Sequence, residues 1–309
     1  MLEEVIPLYN LQKKELKYIK EVPFKLEKDI QSLCEENMTE LLGCSFVKTE
    51  FAIENFRFDS LGFDKANSSF VIVEYKRDKN FSVIDQGYAY LSVMLNHKSD
   101  FILEYNETTG ESLKRDDIDW TQSKVVFIAP SFTTYQKEAI GFKDLPIELY
   151  EIKKYSNDTV SFTQVLAKNS KESIKTISKT NENVEKVSRE IKVYTEEERK
   201  NAGSQEIQEL YEKLKTMILN IGDDISVKPT KLYVAFIRKG NFCDINIQKN
   251  QLKIWLNLSK GSLNDNKNIA KDVSNTGHWG NGDYELIINS DSDIEYIVSL
   301  IRQSYNVSV

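Results

Sequence analysis

The segment from Ser69 to Lys76, SFVIVEYK, constrains the fold of this chain more than any other. A short, uninterrupted apolar run rich in β-branched and aromatic residues fits a strand buried on both faces. Such a strand lies inside a sheet that carries other layers above and below it. Residues two apart on a strand point to the same side. Ile72, Glu74 and Lys76 therefore share one face, and Val71, Val73 and Tyr75 share the other. A carboxylate and an ammonium at the buried end of this strand are costly unless they pair or bind something.

The neighbouring segments supply the rest of a mixed α/β unit. Residues 28–42 place Ile30, Leu33, Cys34, Met38, Leu41 and Leu42 on one helical stripe, and Gly43 suits the C-terminal cap. Glu35 lies at the edge of that stripe, one turn after Gln31. Strands are expected at 46–54, 56–63 and 69–76, then helices at 82–96 (despite Gly87) and 98–106. A strand at 124–130, a short helix near 132–140 and a strand at 147–152 complete the unit. The order helix, three strands, helix, strand implies a mixed sheet between helices.

Asp59 falls on the strand before Glu74, so Asp59, Glu74 and Lys76 can converge. Two carboxylates can hold a divalent cation beside a scissile phosphate, where it polarises the phosphoryl oxygen and acidifies water. A lysine at their side can orient that water, help deprotonate it, or offset charge in the transition state. Glu35 is the first choice for a third carboxylate, with Glu36 and Glu40 as alternatives on the same helix. Gln86 and Tyr90 are one turn apart on the helix that follows Lys76 and can reach a phosphate or the carboxylates. Arg57 and Arg77, close in sequence to Asp59 and Lys76, are candidate nucleic-acid contacts.

Residues Glu35 through Tyr90 resemble the PD-(D/E)xK nuclease superfamily, whose core runs αβββαβ. Gln86-Gly-Tyr-Ala-Tyr90 is similar to the Gln-x-x-x-Tyr element of RecB-type nucleases. Arg57-Phe-Asp59 followed by residues 72–76, IVEYK, is similar to archaeal mismatch-type endonucleases. The resemblance implies a restriction-endonuclease-like fold, metal ligation by Asp59, Glu74 and the helix glutamate, and catalytic support from Lys76. It departs at Phe58, where the motif has proline.

Residues 153–204 turn polar and charged, as in AKNSKESIKTISKTNENVEKVSREIK, and read as a partly helical linker. Residues 205–309 read as a smaller α+β domain: a helix at 205–220, an antiparallel meander through 231–258, a strand at 284–289 and a helix at 293–304. Gly240-Asn241 and Lys249-Asn250 sit at the turns, and Ser292 with Glu295 suits a capping box. The segment from Trp255 to Ile288 resembles an uncharacterised bacterial domain found behind nuclease-like domains, some members of which bear the label "predicted transport protein". Trp255, His278 and Trp279 near a glycine-rich loop are candidates for stacking on a base.

The chain has 309 residues, 40% of them hydrophobic, which suits two cored domains. No segment is apolar enough for a membrane span, and the charged N-terminus is unlike a secretory signal. Three cysteines without metal-type spacing suit a reducing cytoplasm. Two histidines leave metal chemistry to carboxylates, hence Mg²⁺ or Mn²⁺. The net charge of −7 argues against a broad nucleic-acid surface but leaves room for a local groove. The expected function is Mg²⁺-dependent hydrolysis of DNA phosphodiester bonds in repair, restriction or phage defence. A homodimer is compatible with cutting both strands. The alternative is a catalytically silent nuclease fold that holds nucleic acid.

Overall fold

A computed structural model describes residues 7–77, 82–142, 145–166, 182–277 and 280–308. The chain divides into two compact units, Met1–Lys192 and Val193–Val309. The first is a mixed α/β unit, and the second carries an antiparallel sheet.

In the first unit the strands are β1 (Leu8–Gln12), β2 (Glu15–Ile19), β3 (Glu21–Val22), β4 (Ser45–Ile53), β5 (Phe56–Asp64), β6 (Ser69–Tyr75), β7 (Lys124–Ala129), β8 (Ile147–Tyr155) and β9 (Val160–Val165). The helices are α1 (Glu27–Glu36), α2 (Met38–Leu42), α3 (Val83–Asn96), α4 (Lys98–Thr109), α5 (Thr134–Ala139) and α6 (Glu182–Glu190). The main sheet runs β3-β8-β7-β6-β5-β4, with β9 also paired to β8. The β4–β5 and β5–β6 pairs are antiparallel, whereas β6–β7 and β7–β8 are parallel. β6 lies in the middle, and all seven of its residues are buried, as its composition requires.

The alternation along β6 divides the core. Val71, Val73 and Tyr75 pack with Ile30, Cys34 and Met38 of α1 and α2. Phe70 and Ile72 face Leu91, Met94 and Phe101 of α3 and α4. Gly87 explains how α3 tolerates a glycine. A Cβ there would come within 2.5 Å of the Ile147 side chain, so its absence lets the helix approach β7 and β8 closely.

Several expectations are corrected. The single helix over 28–42 is two, broken at Asn37, and Gly43 caps the second in the left-handed region at φ 66°. The expected linker at 153–204 begins inside the sheet, because β8 runs to Tyr155 and returns as β9. Val184, Val187 and Ile191 then bury against the α3 side of the core. Their spacing makes an apolar stripe within an otherwise polar segment, which average composition conceals.

The second unit contains α7 (Glu196–Lys200), α8 (Gln205–Leu219), β10 (Ser226–Pro229), β11 (Val234–Ile237), β12 (Asn241–Gln248), β13 (Gln251–Leu256), β14 (Lys271–Asp272), β15 (Tyr284–Ile288) and α9 (Ile294–Val307). Its sheet has the order β10-β11-β12-β13-β15-β14, antiparallel throughout. α8 and α9 cover one face through Leu210, Leu214, Ile297 and Ile301. The capping box expected at Ser292 does not form. Asp293 occupies the cap position, without a side-chain cap bond, and Ser292 pairs with Ser290.

Candidate active site

The strand register brings Asp59 and Glu74 together. Backbone pairing between β5 and β6 ends at Ser60 and Val73. Beyond that point the Asp59 side chain takes over: its Oδ2 accepts the Tyr75 N–H at 2.9 Å. A buried backbone donor left by the parting strands is thereby satisfied. On the other side of β6, Lys76 N donates to Ile128 O at 2.9 Å, so the end of β6 stays fixed to β7.

Glu74 is 3% exposed. Its Oε1 accepts from Lys76 Nζ at 2.6 Å and from Gln86 Nε2 at 2.9 Å. Its Oε2 is buried and has no hydrogen-bond partner among the described residues. Gln86 Nε2 also donates to Tyr90 Oη at 2.8 Å. Thus α3 and β6 bring Glu74, Lys76, Gln86 and Tyr90 into one connected group. Phe58 packs its ring edge-on against Tyr90, with centroids 4.9 Å apart, and holds the helix residue over β5.

The charges in this group are coupled. Burial, and then the charge of Glu74, raises the Asp59 carboxyl from its ordinary 3.8 to about 6, against the opposing pull of the Tyr75 N–H and Lys76. Burial alone would lower the Lys76 ammonium. Its hydrogen bond and charge contact with Glu74, with Asp59 and Glu27 nearby, hold it above its usual value instead. Lys76 therefore remains a cation here, which favours charge compensation over proton abstraction. Burial and the Glu74 charge also raise the Tyr90 hydroxyl, so it stays protonated.

Glu35 takes a different position. Its Oε1 accepts from Ser60 Oγ at 2.5 Å and Gln31 Nε2 at 2.9 Å. Gln31 is itself buried and also donates to the Asp59 backbone oxygen at 2.9 Å. Glu35 thus acts on Asp59 from behind, through Gln31 and Ser60. Among the described residues no group of three acidic, histidine or cysteine side chains is gathered to hold a metal, so the expected trio of Asp59, Glu74 and Glu35 does not assemble. The hydroxyl and amide beside Glu35 satisfy it where it stands. Glu36 and Glu40 are both exposed. The spacing of Gln31 and Glu35 signals their pairing; Ser60 had no such signal.

The donor set still suits a hard cation. Mg²⁺ commonly takes only one or two protein carboxylates, with water and substrate phosphate completing its shell. Among the described residues Glu74 Oε2 lacks a partner, and burial and then the Glu74 charge destabilise Asp59 as an anion.

The expected nucleic-acid contacts disperse. Arg57 is exposed and pairs with Glu50. Arg77 donates from its backbone N to Glu27 Oε2 at 2.9 Å and from Nη1 to Lys25 O at 2.8 Å. Trp255 is 1% exposed, with Nε1 donating to Glu285 Oε2 at 3.1 Å, so it is a core residue and has no open face for a base. It lies in a cross-strand row with Asp244 and Glu285 on the side of the sheet away from α8 and α9. The loop at Gly280 covers its ring, since a Cβ there would come within 2.4 Å of it. His278 and Trp279 lie outside the described residues.

Cys34, Cys44 and Cys243 are all buried. Among the described residues no helix is long and apolar enough to cross a membrane.

Comparison with known proteins adds the following. Residues 196–308 match the family described as Domain of unknown function (DUF5655). Solved structures of low similarity include a repair endonuclease from Pyrococcus abyssi, 22% identical over 39% of this chain and 45% of that one, with a TM-score of 0.23. Another is the EndoMS-dsDNA2 complex, 21% identical over 43% of this chain and 47% of that one, also at 0.23. The chain thus spans under half the length of each, and at these scores neither fold detail nor chemistry is carried across. Over 297 residues the chain is 49% identical to a Haemophilus influenzae protein described as an uncharacterized protein, covering 96% of this chain and 98% of the relative. With that identity across nearly the whole of both chains, this protein belongs to the same family as the Haemophilus influenzae protein.

Proposed function

We propose that the first unit is a metal-dependent nuclease of the PD-(D/E)xK type, acting on DNA, with Asp59 and Glu74 as the protein ligands of Mg²⁺ or Mn²⁺. The observation that carries this reading is the state of Glu74. Its carboxylate is buried, Lys76 and Gln86 both crowd onto Oε1, and among the described residues Oε2 has no partner. A buried carboxylate oxygen without a partner is costly in a merely structural ion pair and is accounted for if a cation binds it. The cation would polarise the scissile phosphate and acidify water. Lys76 offsets negative charge accumulating on the phosphoryl group. Gln86 holds Glu74 in place and orients the Tyr90 hydroxyl toward the same group. Glu35 positions the Asp59 strand through Ser60 and Gln31.

One observation favours the second reading, a nuclease fold that binds DNA without cutting it. Glu35 is already engaged, which leaves two carboxylates for the metal. Supercoiled plasmid, single-stranded DNA and RNA, each incubated with Mg²⁺, Mn²⁺ or EDTA, separate the readings. Metal-dependent cleavage by the wild type that Asp59→Ala and Glu74→Ala both lose is the expected result. Tight binding without cleavage of any of the three would favour the silent fold.

A further inference from the structure

β1 and β2 form a two-stranded sheet of their own, joined by the two-residue loop Lys13-Lys14. The loop residues have φ of 56° and 128°. Two-residue hairpin loops need positive φ and normally use Asn-Gly, because a Cβ is strained there. This chain places two lysines in that position instead. Backbone strain of this kind clusters at functional sites.

The hairpin faces are equally unusual. Tyr9 pairs with Tyr18 and Leu11 with Leu16, so these four side chains share one face. They are 49%, 60%, 69% and 66% exposed, respectively. An isolated hairpin is marginally stable in water, and an apolar face left open adds to the cost. From Leu8 to Ile19 the hairpin carries three lysines and one glutamate, in a chain of net charge −7. Lys13 and Lys14 stand at the tip and Lys17, opposite Asn10, on the other face, so the hairpin is basic within an acidic chain and its charge suits an anionic partner.

The foot of the hairpin stands beside the candidate site. Ser156 N donates to Lys20 O at 2.8 Å, and Glu21 pairs with Tyr155 at the end of β8. Lys25 O then accepts from Arg77, the residue after Lys76. Arg77, Lys153 and Lys154 line a cleft of about 420 Å³ at this foot, together with Glu21.

We propose that the β1–β2 hairpin is a DNA-binding arm that enters the major groove of a duplex, its lysines on the phosphates and its Tyr9, Leu11, Leu16 and Tyr18 face against the bases. A two-stranded ribbon fits that groove, which is about 12 Å wide. Lysine contacts with phosphate release counterions and make binding salt-dependent. The proposal rests on the nuclease reading for its substrate class, but its test does not depend on cleavage.

Binding of a fluorescein-labelled duplex of about 20 base pairs is measured by anisotropy with the full chain in EDTA, from about 50 to 200 mM KCl. The decisive variant combines Lys13→Asn with Lys14→Gly. It removes two charges while giving the turn its preferred residues, so folding is preserved or improved. The expected result is an affinity loss of about five- to tenfold near 100 mM salt and a log–log salt slope smaller by about two. Tyr9→Ala with Tyr18→Ala should weaken binding with little change in slope. A control combining Lys231→Gln with Lys249→Gln, two exposed lysines of the second unit, should stay within about twofold of wild type.

The proposal is overturned if Lys13→Asn/Lys14→Gly binds as wild type, or if the control loses as much affinity. It is also overturned if the hairpin variants change only the oligomeric state in size-exclusion chromatography, which would assign the face to a second copy. Wild type that binds in EDTA through the hairpin but never cuts with Mg²⁺ or Mn²⁺ would count against the nuclease reading alone.

Discussion

Gln86 Nε2 stands 2.9 Å from Glu74 Oε1 and fixes, from α3, the carboxylate at the end of β6. The amide lacks charge and so can hold Glu74 without competing for a cation. Replacing such an orienting group typically costs about 10- to 100-fold in metal affinity or activity. Gln86→Leu is expected to lower the Mg²⁺-dependent cleavage rate within that range. Gln86→Glu should be worse, because it sets a second carboxylate against Glu74. Rates on plasmid DNA across a Mg²⁺ titration check both, and unchanged rates would remove Gln86 from the site.

Gly87 controls how closely that helix approaches the sheet. Gly87→Ala forces a methyl onto the buried Ile147 side chain. The expected loss of stability is about 1–3 kcal/mol by urea unfolding. Cleavage should fall with it, since Gln86 moves with the helix. Gly240→Ala, where a Cβ meets nothing within 4 Å, should stay within about 0.5 kcal/mol of wild type.

Asp59 predicts a pH dependence with a definite sign. Its carboxyl rises from 3.8 to about 6 on folding. Between about pH 4 and 6 the folded chain keeps a proton that the unfolded chain releases, so this site loses stability as pH rises through that window. Asp59→Asn retains an oxygen for the Tyr75 N–H and carries no charge. In EDTA it should exceed wild type by on the order of 1–2 kcal/mol at pH 8 and match it near pH 4. Urea unfolding at the two pH values checks the crossover.

Asp244 makes a related prediction in the second unit. It is 1% exposed, and its Oδ2 accepts from Asn281 N at 2.7 Å and Asn281 Nδ2 at 2.8 Å, while Oδ1 accepts from Asn241. Burial raises it to about 7 in spite of these bonds. Asp244→Ala strands three donors and should cost about 1–3 kcal/mol or more. Wild type loses stability at this carboxyl between about pH 4 and 7, so the variant's deficit should be larger at pH 5 than at pH 8.

The parts of the fold that were legible in the sequence are those where local pattern and tertiary environment agree. β6 is apolar throughout and lies in the middle of the sheet. The Gln86–Tyr90 spacing puts both side chains on the helix face that meets Glu74. What escaped depended on distant contacts. The β1–β2 hairpin lacks the Asn-Gly signal because lysines take its place. The stripe of Val184, Val187 and Ile191 is hidden in a polar segment. Trp255, read as an open aromatic, is sealed by a loop more than twenty residues later in the chain. Glu35 was identified from its helix edge, but Ser60 and Gln31 determine that it stands behind Asp59 rather than beside Glu74.

Calorimetric titration of Mn²⁺ into the full chain asks whether Asp59 and Glu74 hold the cation. Binding by the wild type should weaken at least about tenfold in both Asp59→Asn and Glu74→Gln, and much less in Glu35→Gln. Mn²⁺ affinity unchanged in Asp59→Asn and Glu74→Gln would contradict that assignment.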